Sequence, residues 1–211
     1  MNNLILIKKD NKIDEMYVPT SLVIIDENEN NFHEYLNPEL KPSVKREVFN
    51  NFYDMRYNAL LDGLDFIIDN GYRSYEYQNQ IWLHSFVQHY NAIKNCGLRE
   101  SEIIKTSEEL TDKYVARAGY SEHQTGLAID IATVKDNKCN PIEASSKEYE
   151  WLLDNSYLFG FILRYPEGKS NITGYSFEPW HYRYVGRPYS DEIASNNMTL
   201  EEYHQLVLTK K

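Results

Sequence analysis

The run Ser121-Glu122-His123-Gln124-Thr125-Gly126-Leu127-Ala128-Ile129-Asp130 constrains this chain more than any other stretch. At its end apolar Leu127, Ile129 and Ile131 alternate with small Ala128 and acidic Asp130. Period-two alternation is the pattern of a strand with one face in a core, so Asp130 should project from a rigid strand towards a cleft. Gly126 permits the turn that lets His123 reach the same point. Downstream, Glu178-Pro179-Trp180-His181 adds a second histidine and a second carboxylate. Pro179 has no N–H to give to a ladder, which puts Glu178 at a strand entrance and His181 within the strand. On that strand His181, Arg183 and Val185 share one face, and Trp180, Tyr182 and Tyr184 the other. The break at Pro179 allows Glu178 to point to the His181 side. Two imidazoles and one carboxylate make a three-ligand zinc site whose fourth position is left for water, and a spare glutamate beside it can act as a base. Taken singly, His123 reads as a surface residue, Asp130 as a strand-end acid, His181 as a hydrogen-bonded sheet residue and Trp180 as core. The two stretches together carry the metal reading.

Bulk properties narrow the remaining choices. A chain of 211 residues suits one domain, or one domain with an extension. With 22 Lys and Arg against 32 Asp and Glu, its net charge is −10, which argues against nucleic acid or an anionic membrane as the main partner. The 2 cysteines, Cys96 and Cys139, are no disulfide framework and fit a reducing compartment. Leu4 to Ile7 is too short for a signal-peptide core, and Lys8-Lys9-Asp10 follows where a cleavage site should be. No stretch approaches the roughly 20 apolar residues of a membrane span. A cytoplasmic protein is therefore expected.

Along the chain, 4–7 and 21–25 read as short strands or extended arms, with polar loop between them and on through the Glu27-Asn28-Glu29-Asn30-Asn31 run. Pro38 and Pro42 bracket a turn. Ser43 is the expected cap of a helix carrying Val44, Val48, Phe52, Met55, Leu60, Leu64, Ile67 and Ile68 as far as Gly71. Ser74 should cap a second helix that stops near Gly97. Thr106 with Glu109 suggests a capping box for a third, ending at Gly119. Ser145 and Glu148 open a further helix closed by Gly160, 161–165 and 180–185 read as strands, and Thr199 with Glu202 caps a terminal helix. Helices first and strands later, without regular alternation, predict an α+β fold: a small antiparallel sheet carrying the zinc site, flanked by helices.

Ser121-Glu122-His123 through Asp130, taken with Glu178 to Gly186, resembles the D-alanyl-D-alanine metallopeptidases related to lysostaphin. Gly71-Tyr72-Arg73-Ser74-Tyr75-Glu76-Tyr77-Gln78 resembles the substrate-binding motif of the same group. Gly160-Phe161-Ile162-Leu163-Arg164-Tyr165-Pro166-Glu167, Ile172-Thr173-Gly174 and Leu200-Glu201-Glu202-Tyr203-His204 are similar to the VanXY type. Those are bifunctional D,D-dipeptidase/D,D-carboxypeptidases of vancomycin resistance. The likeness covers about residues 60–205, and it departs at Ala118, where relatives often carry a proline.

The resemblance implies His123, Asp130 and His181 as ligands of one Zn²⁺ and Glu178 as general base. It implies Arg73 as the donor to the tetrahedral oxyanion, work suited to a permanently charged fork, where the bland reading is a surface salt bridge. Gln78 would contact substrate, or else be an exposed amide. Ser121 would contact the substrate carboxylate, or else stabilise its loop, and Trp180 would line the cleft or the core. Arg164 and Arg183 read either as cleft-lining or as braces on Asp130, and His33, His84, His89 and His204 as non-ligands. The expected organisation is an N-terminal extension, 1–42, packed on a peptidase domain, 43–211. The implied substrates are small peptides, D-Ala-D-Ala and the C-terminal D-Ala of precursor pentapeptides, whose removal would deplete the targets of vancomycin. An exported wall peptidase of the same fold, or a non-catalytic zinc module, are the alternatives. Oligomeric state stays open, a homodimer being a common default.

Overall fold

The computed structural model describes residues 3–25, 41–135 and 138–209. The polar run 27–31, His33 and Pro38 lie outside these residues. β1 (Leu22–Ile24) pairs antiparallel with β2 (Ser43–Lys45), and the chain passes straight into α1 (Arg46–Leu61). There follow β3 (Ile67–Asn70), α2 (Tyr75–Ile93), α3 (Glu100–Thr111), β4 (Ala128–Lys135), β5 (Lys138–Pro141) and α4 (Lys147–Asn155). The C-terminal third holds β6 (Phe161–Leu163), the single turn α5 (Ser170–Thr173), β7 (His181–Tyr184), α6 (Tyr189–Ser195) and α7 (Leu200–Thr209).

The main sheet runs β3-β4-β7-β6, with β5 on β4, and every pairing is antiparallel. Helices and this small sheet make the α+β architecture that the sequence predicts. Leu127, Ile129 and Ile131 of the β4 region join Tyr182 and Tyr184 of β7 in the main core. Val48, Phe52, Met55 and Ala59 of α1 complete it from across the sheet face. Each of the larger apolar side chains among them contributes on the order of 1.5–3 kcal/mol by leaving water. The alternation that buries these residues turns Asp130 and His181 to the opposite face, as the sequence pattern requires.

A second cluster, Ile162, Val185, Ile193, Leu200 and Tyr203, is packed by Leu4 and Leu6 from the N-terminal segment. The carbonyls of Asn3 and Ile5 accept hydrogen bonds from Arg183 Nη2, at 2.9 and 2.7 Å. His204 contacts the Leu4 carbonyl.

Several boundaries differ from expectation. Ser43 and Val44 belong to β2, and Lys45 occupies the α1 cap without a side-chain bond. The first helix stops at Leu61; Gly63 takes φ 80°, and the β-branched pair Ile67-Ile68 enters the sheet instead of extending the helix. Thr106 lies inside α3, whose N-terminus is closed instead by Glu102, its side chain accepting from Arg99 N at 3.0 Å. Two caps stand as read: Ser74 Oγ accepts from Tyr77 N, and Thr199 and Glu202 exchange side-chain bonds to each other's backbone. Ser146 caps α4, one residue after the expected Ser145.

Candidate active site

Asp130 on β4 and His181 on β7 are direct cross-strand partners, so their side chains emerge on one face about 4.5–5.5 Å apart at Cβ. His123 arrives from a single 3-10 turn, Glu122–Thr125, just before β4. Ser121 Oγ accepts from His123 N at 3.4 Å to start that turn, and Gly126, at φ 68°, ends it and redirects the chain into the strand.

Hydrogen bonding assigns the protons. His123 Nδ1 lies 2.6 Å from the Gly71 carbonyl, which can only accept, so Nδ1 carries the proton and Nε2 is bare. That bare nitrogen is 3.4 Å from Asp130 Oδ1, and His181 Nδ1 is 3.1 Å from the same oxygen. Oδ1 is buried and receives no hydrogen bond. Lone pairs from an imidazole and a carboxylate facing each other in a buried site call for a cation between them. The three residues are 2%, 8% and 5% exposed, and one donor atom from each falls within a common 4.8 Å. Burial, reinforced by Arg73, lowers the His123 pKa to about 4 against the pull of Asp130, which keeps the ring neutral, as a ligand must be. Burial also opposes ionisation of Asp130, but His123 and Arg73 outweigh it and hold the carboxyl well below its usual range.

Glu178 stands beside the triad, its Oε2 3.5 Å from His181 Nδ1. The Glu178 carbonyl accepts from His181 N at 3.2 Å, so the Pro179-Trp180 turn carries both side chains to one side. Burial pushes the Glu178 carboxyl up to about 7, with His181 drawing it down and Asp130 adding to the rise. Arg73 Nη2 donates to Asp130 Oδ2 at 2.6 Å, while its Nε is buried without a partner. Gln78 is 1% exposed, so it is not an exposed amide; Nε2 donates to the Ala116 carbonyl at 2.7 Å and Oε1 is left unpaired. Trp180 is half-buried against the main core, and its carbonyl accepts from Ile131 N.

Arg164 and Arg183 neither line the cleft nor brace Asp130. Both are fully buried and converge on Glu122, the neighbour of His123: Arg164 Nε at 2.9 Å and Arg183 Nη1 at 2.7 Å from Oε1. Arg164 also binds both oxygens of Glu201 in α7, at 2.9 and 2.6 Å. Burial would raise the Glu122 pKa, yet the two guanidinium charges hold it below the ordinary value. Sequence reasoning passed over Glu122, the Gly71 carbonyl and Tyr165, whose ring centroid lies 4.9 Å from that of His181. Fixed charges flanking a histidine could have flagged Glu122; nothing in the sequence marks a carbonyl. His84 bonds Gln88 in α2, and both cysteines are free.

Comparison with known proteins agrees with this geometry. Residues 41–187 match the family described as VanY, D-alanyl-D-alanine carboxypeptidase. The bifunctional D-Ala-D-Ala dipeptidase and carboxypeptidase VanXYC of Enterococcus gallinarum is 35% identical over 207 residues, 97% of this chain and 94% of the relative. The LdcB LD-carboxypeptidase superposes with TM-score 0.75 at 33% identity, covering 95% of this chain and 84% of the other. A mutant of the vancomycin-resistance D,D-pentapeptidase VanY, in complex with Zn(II), gives 0.74 at 33% identity, covering 95% and 98%. The metal suited to the His123, Asp130 and His181 group is thus zinc. No helix among the described residues is long and apolar enough to cross a membrane.

Proposed function

The chain belongs to the VanY family of D-alanyl-D-alanine carboxypeptidases, a family of peptidases, and on that footing we propose a zinc D,D-peptidase of the VanXY type. Its substrates are the dipeptide D-Ala-D-Ala and the C-terminal D-Ala of peptidoglycan precursor pentapeptides. The observation that carries this reading is the Asp130 Oδ1 atom, faced by two imidazole nitrogens and no donor, with Glu178 at 3.5 Å from His181. The near end-to-end match to VanXYC supports the dual specificity.

His123, Asp130 and His181 would hold the zinc. When bound, Zn²⁺ supplies Lewis acidity, polarising the scissile carbonyl and acidifying water to a pKa of about 7. Glu178 accepts the proton of the attacking water and returns it to the leaving amine. Arg73 keeps Asp130 oriented through Nη2 and has Nε available for the developing oxyanion. Gln78 offers Oε1 to a substrate N–H, Ser121 lies on the carboxylate side, and Trp180 backs the site. Residues 1–42 are an N-terminal extension to the catalytic domain, 43–211, a division supported by the packing of Leu4 and Leu6 on the C-terminal cluster. The two free cysteines support a reducing, cytoplasmic setting.

The test is release of free D-Ala, with zinc, from D-Ala-D-Ala, from a muramyl pentapeptide and from a tetrapeptide ending L-Lys-D-Ala. Release from the first two is expected. Release from the pentapeptide alone would leave a plain carboxypeptidase, and release from the tetrapeptide alone an L,D-enzyme like LdcB.

A further inference from the structure

The sheet face that carries Asp130 and His181 carries two further charged side chains. On β7, Arg183 follows His181 at the next position of the same face. Arg164, just past β6, donates its backbone N–H to the His181 carbonyl at 3.1 Å and continues the β6–β7 register, which makes it the cross-strand neighbour of that histidine. The Glu122 carboxylate is clasped between these two guanidinium groups, 2.9 Å from Arg164 Nε and 2.7 Å from Arg183 Nη1. It therefore sits beside the His181 ring. Tyr165 closes the same corner, its ring centroid 4.9 Å from that of His181 and 4.8 Å from the Arg164 guanidinium carbon.

Only one oxygen of Glu122 is used. Both arginines bond Oε1, while Oε2 is buried without a partner. His181 Nε2 is in the same state, buried and unpaired. The other ring nitrogen, Nδ1, is the one turned to Asp130 Oδ1, at 3.1 Å. A neutral imidazole that gives Nδ1 to a cation carries its proton on Nε2. A buried N–H donor and a buried carboxylate oxygen thus stand at one corner, each lacking what the other supplies. Leaving either unmade costs the full desolvation of the group. No direct hydrogen bond joins them. One water suits the gap, because it accepts from an N–H and donates to a carboxylate.

We propose that Glu122 is a positioning residue for His181: a bound water accepts from His181 Nε2–H and donates to Glu122 Oε2, which fixes the ring and its tautomer. A carboxylate behind the ring also raises the basicity of Nδ1 towards a metal. Glu122 immediately precedes His123 in the chain. A single turn then sets both imidazoles, one through the backbone and the other through this bridge. The inference rests on the zinc reading above, since it needs Nδ1 given to the metal.

The first test uses the wild type. A high-resolution crystal structure with zinc should show one ordered water within hydrogen-bond reach of both His181 Nε2 and Glu122 Oε2. A water that joins Nε2 instead to the buried, unpaired Tyr175 hydroxyl, on the ring packed 5.0 Å from Tyr165, would overturn the proposal. So would no water at all. Zinc in the triad without the bridge sinks this inference alone, whereas no zinc in the triad sinks the metal reading with it. The second test compares Glu122→Gln with the wild type. The amide oxygen stays with the two arginines and an NH2 group replaces Oε2. Zinc affinity should fall about 10–100-fold. In NMR spectra of the zinc-loaded proteins, the His181 Nε2–H signal should move and exchange faster with solvent. The His123 Nδ1–H, held by the Gly71 carbonyl, should stay as it is. If both ring protons respond alike, or neither does, Glu122 merely holds its own turn and the proposal fails. If the variant does not fold, the wild-type water decides.

Discussion

A methyl group at Gly71 would run into the Ser43 carbonyl and the Val44 side chain, and the carbonyl of Gly71 is what fixes the His123 ring. Gly71→Ala should therefore weaken zinc binding about 10–100-fold by misaligning a ligand, measured by competition with a chromophoric chelator. Unchanged zinc affinity would show that the carbonyl does not set the ring. Glu178 has a different liability, since the base proposed here works only as the ionised carboxylate. Burial raises its pKa from 4.5 to about 7 without a cation, and a bound dication draws it back. The activity requiring the ionised form falls as pH drops through that pKa, so the acidic limb of kcat/KM should lie between 4.5 and about 7. Glu178→Gln should lower kcat by about 10²–10⁴-fold and abolish that limb; a limb that survives belongs to another group.

At the scale of elements, the Glu122 network ties the His123 turn to β6 through Arg164, to β7 through Arg183 and onward to α7 through Glu201. Removing one member of a buried ion network costs about 3–5 kcal/mol because the others lose their partner. Glu122→Gln should show that loss in urea unfolding at pH 7. The folded carboxyl has a depressed pKa, so its contribution is complete above the unfolded value of about 4.3 and disappears as pH falls through the folded one. The gap between variant and wild type, both chelated, should narrow below that pH; a constant gap would mean the charge of Glu122 is irrelevant.

This network also marks where the sequence was silent. Alternation in 127–131 is local, so the strand, its buried face and the direction of Asp130 could all be read from it. Pro179 did the same for Glu178. The partners of Glu122 lie 42 and 61 residues away, and long-range ion pairs leave no periodic trace. The overlong first helix was a local error: Leu64, Ile67 and Ile68 continue a helical spacing, but the turn at Asp62-Gly63 and the pairing of Ile67 with Ala132 override it. Lys9 reaches Asp112 across 103 residues, which no pattern near Lys9 announces.

For the whole molecule, the main core is formed by apolar residues of α1, β4 and β7 and does not include the three side chains of the candidate metal group. Chelated protein should keep its fold and lose activity. Zinc at 1,000 times its Kd adds about 4 kcal/mol, which for a domain of this size is of order 10 °C in Tm. Circular dichroism melts with and without chelator check this, and an unfolded apo-protein would instead indicate a structural zinc module. The central claim is that His123, Asp130 and His181 together hold one zinc ion beside Glu178. The most direct measurement is anomalous diffraction across the zinc absorption edge from crystals grown with zinc. A single strong peak bounded by those three side chains is expected. A peak elsewhere, or none at this position, would contradict it.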